Sequence, residues 1–264
     1  MNRLDFGMPT LLELRTVERC AALCRELGLQ FVELNAGMPE YQPERIDIER
    51  FARVAEEYGV YYTIHLDDAP YPCHINERIA RALIETIRKT VEIAKKLHIP
   101  VINMHFNQGD YFTLPDRKVY IYEDYFDEYM RMLERFRDEC EDAVGGSGVR
   151  ICVENTRSFA LGFVAAGLDC LLKSRVFGLT FDTGHDAANG GSQFVTIERN
   201  IDRLCHMHLH DWCESRGDHL PLGEGGIDIE KRLAIAREHG CRVVLETKTA
   251  DGVRKSTHWL KTKK

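Results

Sequence analysis

FDTGHDA, Phe181 to Ala187, is the stretch that decides the fold, because it makes sense only as one member of a ring. Asp182 closes a short β-branched and apolar run, Val176 to Phe181, and His185 follows three residues later in what reads as a turn. Five other apolar runs end in the same manner, on a side chain able to hold a metal. TIHL ends near His65, VINMH on His105, ICVE on Glu154, HMHLHD on His208 or His210, and VVLE on Glu246. Six strands that each present a carboxylate or imidazole at the carboxyl end describe a barrel with a metal site at its mouth. The repetition carries this reading; no single motif does.

With 264 residues the chain is near the ~250 typical of a (β/α)₈ barrel. A hydrophobic content of 44% and a charged content of 29% are those of ordinary soluble globular proteins. The net charge of −7 argues against a surface that grips phosphate backbones, so no nucleic-acid partner is expected. Nine cysteines include no CxxC pair, and Cys20, Cys24, Cys152 and Cys205 lie in apolar segments. They read as reduced thiols of a cytoplasmic protein. MNRLDFGMPT lacks a long apolar stretch, and no run approaches ~18 apolar residues, so neither export nor a membrane span is expected.

In chain order, RLDFG (3–7) reads as the first strand, followed by a helix capped at Thr16 and stopped at Gly28. FVELN (31–35) is the second strand, and an amphipathic helix runs between Asp47 and Gly59. VYYTIHL (60–66) is the third strand, NERIARALIETIRKTVEIAKKL a helix, and PVINMHF the fourth strand. The loop 107–121 sits where an active-site lid would sit. The aromatics of 111–126 are expected to shape specificity or a homo-oligomer contact. A helix from Glu123 to about Val144 ends at GGSG and leads into the fifth strand, VRICVEN. The short helix GLDCLLKS precedes the sixth strand, FGLTFD, and a helix from Ser192 to Leu204 precedes the seventh, CHMHLHD. DIEKRLAIAREHG precedes the eighth, CRVVLETK, and VRKSTHWLKTKK is a final basic helix. Eight alternations without a break in composition predict one α/β domain over 1–264. A doubly wound open sheet also alternates, but the GxGxxG turn after the first strand is absent. Closure into a barrel also explains how strand ends far apart in sequence converge.

Side chains alternate across a strand, so Glu154 shares its face with Cys152, Asp182 with Thr180 and Gly178, and Glu246 with Val244. His105 pairs in the same way with Asn103, and His65 with Thr63. Unpaired charge is costly to bury. A divalent cation held by Glu154, Asp182, Glu246 and one histidine of the seventh strand would neutralise three carboxylates. One such strand end more often faces solvent at a barrel rim; six in phase point to a site. HMHLH places His206, His208 and His210 on one face, and His206, the deepest, is expected to be a hydrogen-bonded interior residue. His74, His98, His239 and His258 fall in loops or helices and read as structural or surface groups. Gly223-Glu224-Gly225 reads as a tight turn before the helix at Asp228 rather than as a phosphate loop.

Several pieces match a known pattern: the strand ending on His65 with PY (70–71) and IN (75–76) after it, the strand ending on His105, VEN, FDTGH, HLHD, DHLPLGEG and LET. Together they resemble the xylose isomerase-like barrel superfamily, which holds sugar isomerases and epimerases together with the endonuclease IV family. The resemblance implies Glu154, Asp182, His208 and Glu246 as ligands of one divalent metal ion (Mn²⁺, Mg²⁺, Co²⁺ or Zn²⁺). It favours His208 over His210, because the histidine preceding Leu209 is the ligand in the family's pattern. His65, His105, His185 and His219 would line the pocket for a small sugar substrate.

Two activities follow. One is a metal-dependent isomerase or epimerase, with Glu154 and Glu246 as base and acid beside a carbonyl. A lyase that removes water from a keto-sugar or keto-cyclitol is a close variant. The other is a zinc phosphodiesterase of the endonuclease IV kind, acting at abasic sites. That family has an aspartate two residues before the histidine matched by His219, where this chain has Gly217, with Asp218 adjacent. The departure and the acidic charge favour the sugar branch. A catalytically idle binding barrel is the least favoured reading, since so dense a cluster is costly without a metal.

Overall fold

The computed structural model describes residues 4–67 and 73–263. Arg3, the Pro70-Tyr71 pair and Lys264, all used in the sequence reading, lie outside the described residues. Eight strands form the barrel: β1 Asp5–Pro9, β2 Phe31–Asn35, β3 Tyr61–His65, β4 Val101–His105, β5 Arg150–Glu154, β6 Phe177–Asp182, β7 Leu204–Leu209 and β8 Arg242–Leu245. Every neighbouring pair is parallel, and β8 closes onto β1 through Asp5↔Arg242 to Gly7↔Val244. Strands covered on both faces read as short, nearly continuous apolar runs, and these do. Ile151, Val153, Leu179, Phe181, Met207, Val243 and Leu245 are all fully buried.

The helices begin and end where local chemistry directs. Thr16 caps α1, Val17–Leu27, by accepting from the Arg19 amide, and Gly28 stops it at φ 75°. Asp47 and Gly59 do the same for α2, Ile48–Tyr58, and Asn76 caps α3, Glu77–Lys96.

Five segments differ from the sequence reading. The helix expected from Glu123 is two: α4, Ile121–Asp124, and α5, Phe126–Val144, separated where Tyr125 leaves helical space at φ −109°, ψ 46°. Tyr122 explains the break. It is buried, donates its hydroxyl to the Cys73 carbonyl and stacks on Tyr129 at 4.8 Å, which ties α4 to the core separately from α5. The lid-like loop 107–121 contains an antiparallel hairpin, Tyr111–Thr113 with Lys118–Tyr120. The short helix before β6, α6, spans Gly162–Leu171 and so starts earlier than GLDCLLKS. His185 sits in a helix, α7, Thr183–Ala188, rather than in a turn. The next helix, α8, covers only Phe194–Arg199, because the Asp186 carboxylate takes the Gln193 and Phe194 amides and sets its start. Leu204 belongs to β7, in register with Leu179. The remaining helices are α9, Ile229–His239, and α10, Ala250–Thr262.

Candidate metal centre

Register brings the strand ends to one level. His65 pairs with Asn35 and Asn103, His105 with Glu154, and Asp182 with His208. Glu246 stands one residue beyond β8, its amide bonded to the Leu209 carbonyl. These six predicted residues therefore reach one mouth, where His185 lies 3.4 Å from Glu154 Oε1 and His219 3.8 Å from Glu246 Oε2, and most of the eight are buried.

His208 is the hub. Its Nδ1 lies 3.3 Å from Glu246 Oε2, 3.4 Å from Glu154 Oε2 and 3.8 Å from Asp182 Oδ2. Ligand atoms ~2.1 Å from one ion in a tetrahedral shell sit about 3.4 Å apart. Both ring nitrogens of His208 and Glu246 Oε2 are buried without an aligned hydrogen-bond partner. Such buried polar atoms are costly unless something else satisfies them. A divalent cation fits this donor set, three carboxylates and one imidazole, in chemistry and in spacing.

The electrostatics agree. Burial pushes the Glu154 and Glu246 carboxyls up, but His208 and the groups around it outweigh burial and hold both well below the usual range. Burial pulls the His208 ring down, yet the Glu154, Glu246 and Glu33 carboxylates raise it well above its ordinary value. A cation entering the cluster would compete with the protons that this negative charge favours.

The remaining histidines surround this core. His65 Nε2 lies 3.4 Å from Glu154 Oε2, and His105 Nε2 3.5 Å from Glu154 Oε1. Glu154 raises His65 to about 9 against the opposing effect of burial. His185 Nδ1 is 3.1 Å from the Asn155 carbonyl and 3.4 Å from Glu154 Oε1. Asp182 caps α7 by accepting from the His185 amide at 2.6 Å. Gly184, between them, is required: a Cβ there would lie 1.9 Å from His210 Cε1.

His210 also reaches the cluster, its Nε2 3.8 Å from Glu246 Oε2, and with His219 and Glu246 it forms another ion-competent group. Its Nε2 lies 3.2 Å from both Asp182 oxygens, and its Nδ1 accepts the His219 amide at 2.8 Å. That places the proton on Nε2 and makes His210 a support for Asp182. His219 is held at φ 56°, a left-handed conformation, with its Nδ1 3.1 Å from the Glu246 carbonyl and its ring stacked on His210 at 4.3 Å. His206 is an interior residue as expected; burial drops it to about 4, and its Nδ1 lies 3.3 Å from Thr180 Oγ1.

Other groups can hold an ion, their ligand atoms within 4.8 Å of one another: His65, His105 and Glu154, and also His185, Asp218 and His219. Asp218 thus brings a carboxylate to the two histidines despite Gly217. The GEG loop is closed on an internal anion, because the Asp211 carboxylate accepts the amides of Gly223, Gly225 and Ile227 at 2.9 to 3.0 Å.

Two functional neighbours escaped the sequence reading. Glu33, in the middle of β2 and 2% exposed, faces His208 and His206. Lys248 places its Nζ 3.0 Å from Glu246 Oε1 at the edge of a cavity of about 370 Å³, lined also by Thr10, Asn35, Met38 and His65. Glu33 could have been found from strand phase: it is in register with Thr63, two residues before His65. Nothing in sequence singles out Lys248.

A parallel barrel whose strand ends bring carboxylates and imidazoles together is a TIM barrel with a metal-competent mouth. A family profile described as xylose isomerase-like TIM barrel matches residues 21–263, and the chain belongs to that family. It is 28% identical over 205 residues, 74% of its length, to an uncharacterized protein of Methanocaldococcus jannaschii, and 24% identical over 181 residues to a second one from that organism. The chain spans 66% of the length of each of these relatives. Among solved structures, a D-tagatose 3-epimerase-like protein superposes with a TM-score of 0.77 at 25% identity, covering 98% of this chain and 96% of that one. The fold is also shared with the 3-keto-D-glucoside 4-epimerase of E. coli (TM-score 0.74, 16% identity, 98% and 100% covered). A probable 3-DHS dehydratase of Bacillus anthracis shares it too (0.72, 13%, 98% and 99%). Among the described residues no helix is long and apolar enough to cross a membrane.

Proposed function

We propose that the chain is a divalent-metal-dependent epimerase or isomerase of a small sugar or keto-sugar. One observation carries this: the buried His208 Nδ1, without an aligned partner, is faced by oxygens of Glu154, Asp182 and Glu246 at 3.3 to 3.8 Å. The likeness to a D-tagatose 3-epimerase-like protein supports it. Glu154, Asp182, His208 and Glu246 would hold the ion, which when bound supplies a Lewis acid for carbonyl and hydroxyl oxygens.

The protein's own groups do the rest. Glu154 and Glu246 come from strands separated by β6 and β7 and flank one nitrogen, so a carbon between them has a carboxylate on either side. One takes the proton from the carbon beside the carbonyl; the other, after taking up a proton from solvent, returns it to the opposite face, which inverts the centre, and the first gives its proton back to solvent. Lys248 holds Glu246 Oε1 and leaves Oε2 toward the cluster. The adjoining cavity has room for a substrate of sugar size. His65, His105, His185 and His219 offer ring nitrogens to its hydroxyls. Metal-loaded protein should interconvert a free ketose such as D-tagatose, D-allulose or L-ribulose with its C3 epimer; no conversion across a broad ketose and keto-sugar panel would count against the proposal.

A second reading, the abasic-site phosphodiesterase, is favoured by further ion-competent groups, among them those at His65 and at His185. The net charge of −7 weighs against it. A nicking assay on an abasic duplex with added Zn²⁺ separates the two: the sugar reading expects no appreciable incision, and efficient incision overturns it.

A further inference from the structure

Beneath the proposed ligands lies a carboxylate that the reaction does not use. Glu33 is 2% exposed, and its surroundings are specific: Thr63 Oγ1 donates to Oε2 at 2.9 Å, His206 Nε2 lies 3.3 Å from Oε2, and His208 Nε2 lies 2.8 Å from Oε1. The two nitrogens of the His208 ring therefore face opposite ways, Nε2 down to Glu33 and Nδ1 up to Glu154, Asp182 and Glu246.

A neutral imidazole carries one proton, and which nitrogen holds it is set by the partner of the other. An ionised carboxylate only accepts. With the proton on Nε2, the N–H faces the Glu33 carboxylate at 2.8 Å, a charge contact short of an aligned hydrogen bond, and the Nδ1 lone pair points upward. With the proton on Nδ1, the Nε2 lone pair would oppose the Glu33 oxygens, and an N–H would occupy the place of the ion. Thr63 adds direction. Its hydroxyl engages Oε2 and leaves Oε1 to His208.

We propose that Glu33 is a positioning residue that keeps the one proton of an ion-ligating His208 on Nε2 and so directs Nδ1 to the ion. The proposal rests on the reading of His208 as a ligand and adds to it the group that makes it one. Carboxylates behind ligating histidines typically change metal affinity by about 10- to 100-fold when removed.

The test measures Zn²⁺ affinity by competition with a chromophoric chelator, for wild type, Glu33→Gln, Glu33→Leu and Thr63→Val. Gln keeps an accepting oxygen and loses the charge, so about tenfold weakening is expected; Leu removes both, for about a hundredfold. Thr63→Val, which touches no proposed ligand, should weaken binding in the same direction by less, and with Glu33→Gln it carries the test if Glu33→Leu does not fold. In ¹⁵N spectra of the Zn²⁺-loaded wild type, His208 should show a protonated Nε2 and a metal-bound Nδ1, a signature weakened in the Glu33 variants. Affinity within twofold of wild type with that signature intact, even alongside a lowered Tm, would overturn the proposal and leave the functional reading standing. A wild type that binds no Zn²⁺ would overturn the functional reading, and this one with it.

Discussion

His208 and His210 stand two residues apart, both fully buried, and share Asp182 and Glu246 as neighbours, yet their rings are engaged differently. His208 Nδ1 faces three carboxylates, whereas His210 uses Nε2 on Asp182 and Nδ1 on the His219 amide. His208→Ala removes a ligand, and His210→Ala removes only the support of one. Metal content after dialysis should therefore collapse in His208→Ala, while in His210→Ala the affinity should fall by about 10- to 100-fold. The reverse order would mean that the wrong imidazole holds the ion. Six of the predicted side chains were legible because each closes an apolar run at or next to its last position; the pocket roles of His185 and His219 came from the family resemblance. Glu33 was not, because it lies inside its run, and Lys248 was not, because it follows the strand end and matters only through Glu246.

At the scale of elements, local chemistry and tertiary contact divide the outcome. The helix starts at Thr16, Asp47, Asn76 and Asp228 were readable, since each side chain caps its own first turn. The break at Tyr125 was not, because it depends on Tyr122 reaching Cys73, 49 residues away. Gly184 shows the same division within α7. In an open helix, Gly→Ala adds up to ~1 kcal/mol of stability. Here the new Cβ would collide with the His210 ring, so Gly184→Ala should cost about 1–3 kcal/mol and lower metal affinity, measured by denaturant melts and ion titration. A gain in stability would show that α7 does not pack on His210.

A second element-scale prediction concerns the bond between α1 and α2. Arg50 donates to both Glu18 oxygens at 2.7 and 2.8 Å, and this pairing, against slight burial, lowers Glu18 from 4.5 to about 2. A depressed folded-state pKa contributes stability above the unfolded value of 4.5 that is lost as pH falls toward 2. Both side chains are more than a third exposed, so solvent screening limits the contribution to ~1 kcal/mol or less. Wild type should exceed Glu18→Gln in stability at pH 6, with the gap closing between pH 4.5 and 2. A gap that widens on acidification would contradict the assignment.

For the whole molecule, closure is what gives the scattered strand ends a common meaning. β8 joins β1 across more than two hundred residues, and no local signal marks that pairing. It was inferred from the phase of the polar strand ends, and the barrel places those ends at one mouth. The central claim is that this mouth moves a proton on a carbon beside a carbonyl, using Glu154 and Glu246. The most direct measurement is turnover of a convertible ketose in heavy water, at low conversion, with metal-loaded wild type, Glu154→Gln and Glu246→Gln. Wild type should place deuterium on the carbon next to the carbonyl, and either Gln variant that still holds its metal should lose exchange by about 10²- to 10⁴-fold. Turnover without deuterium in the product, or exchange undiminished in both variants, would contradict the carboxylate mechanism.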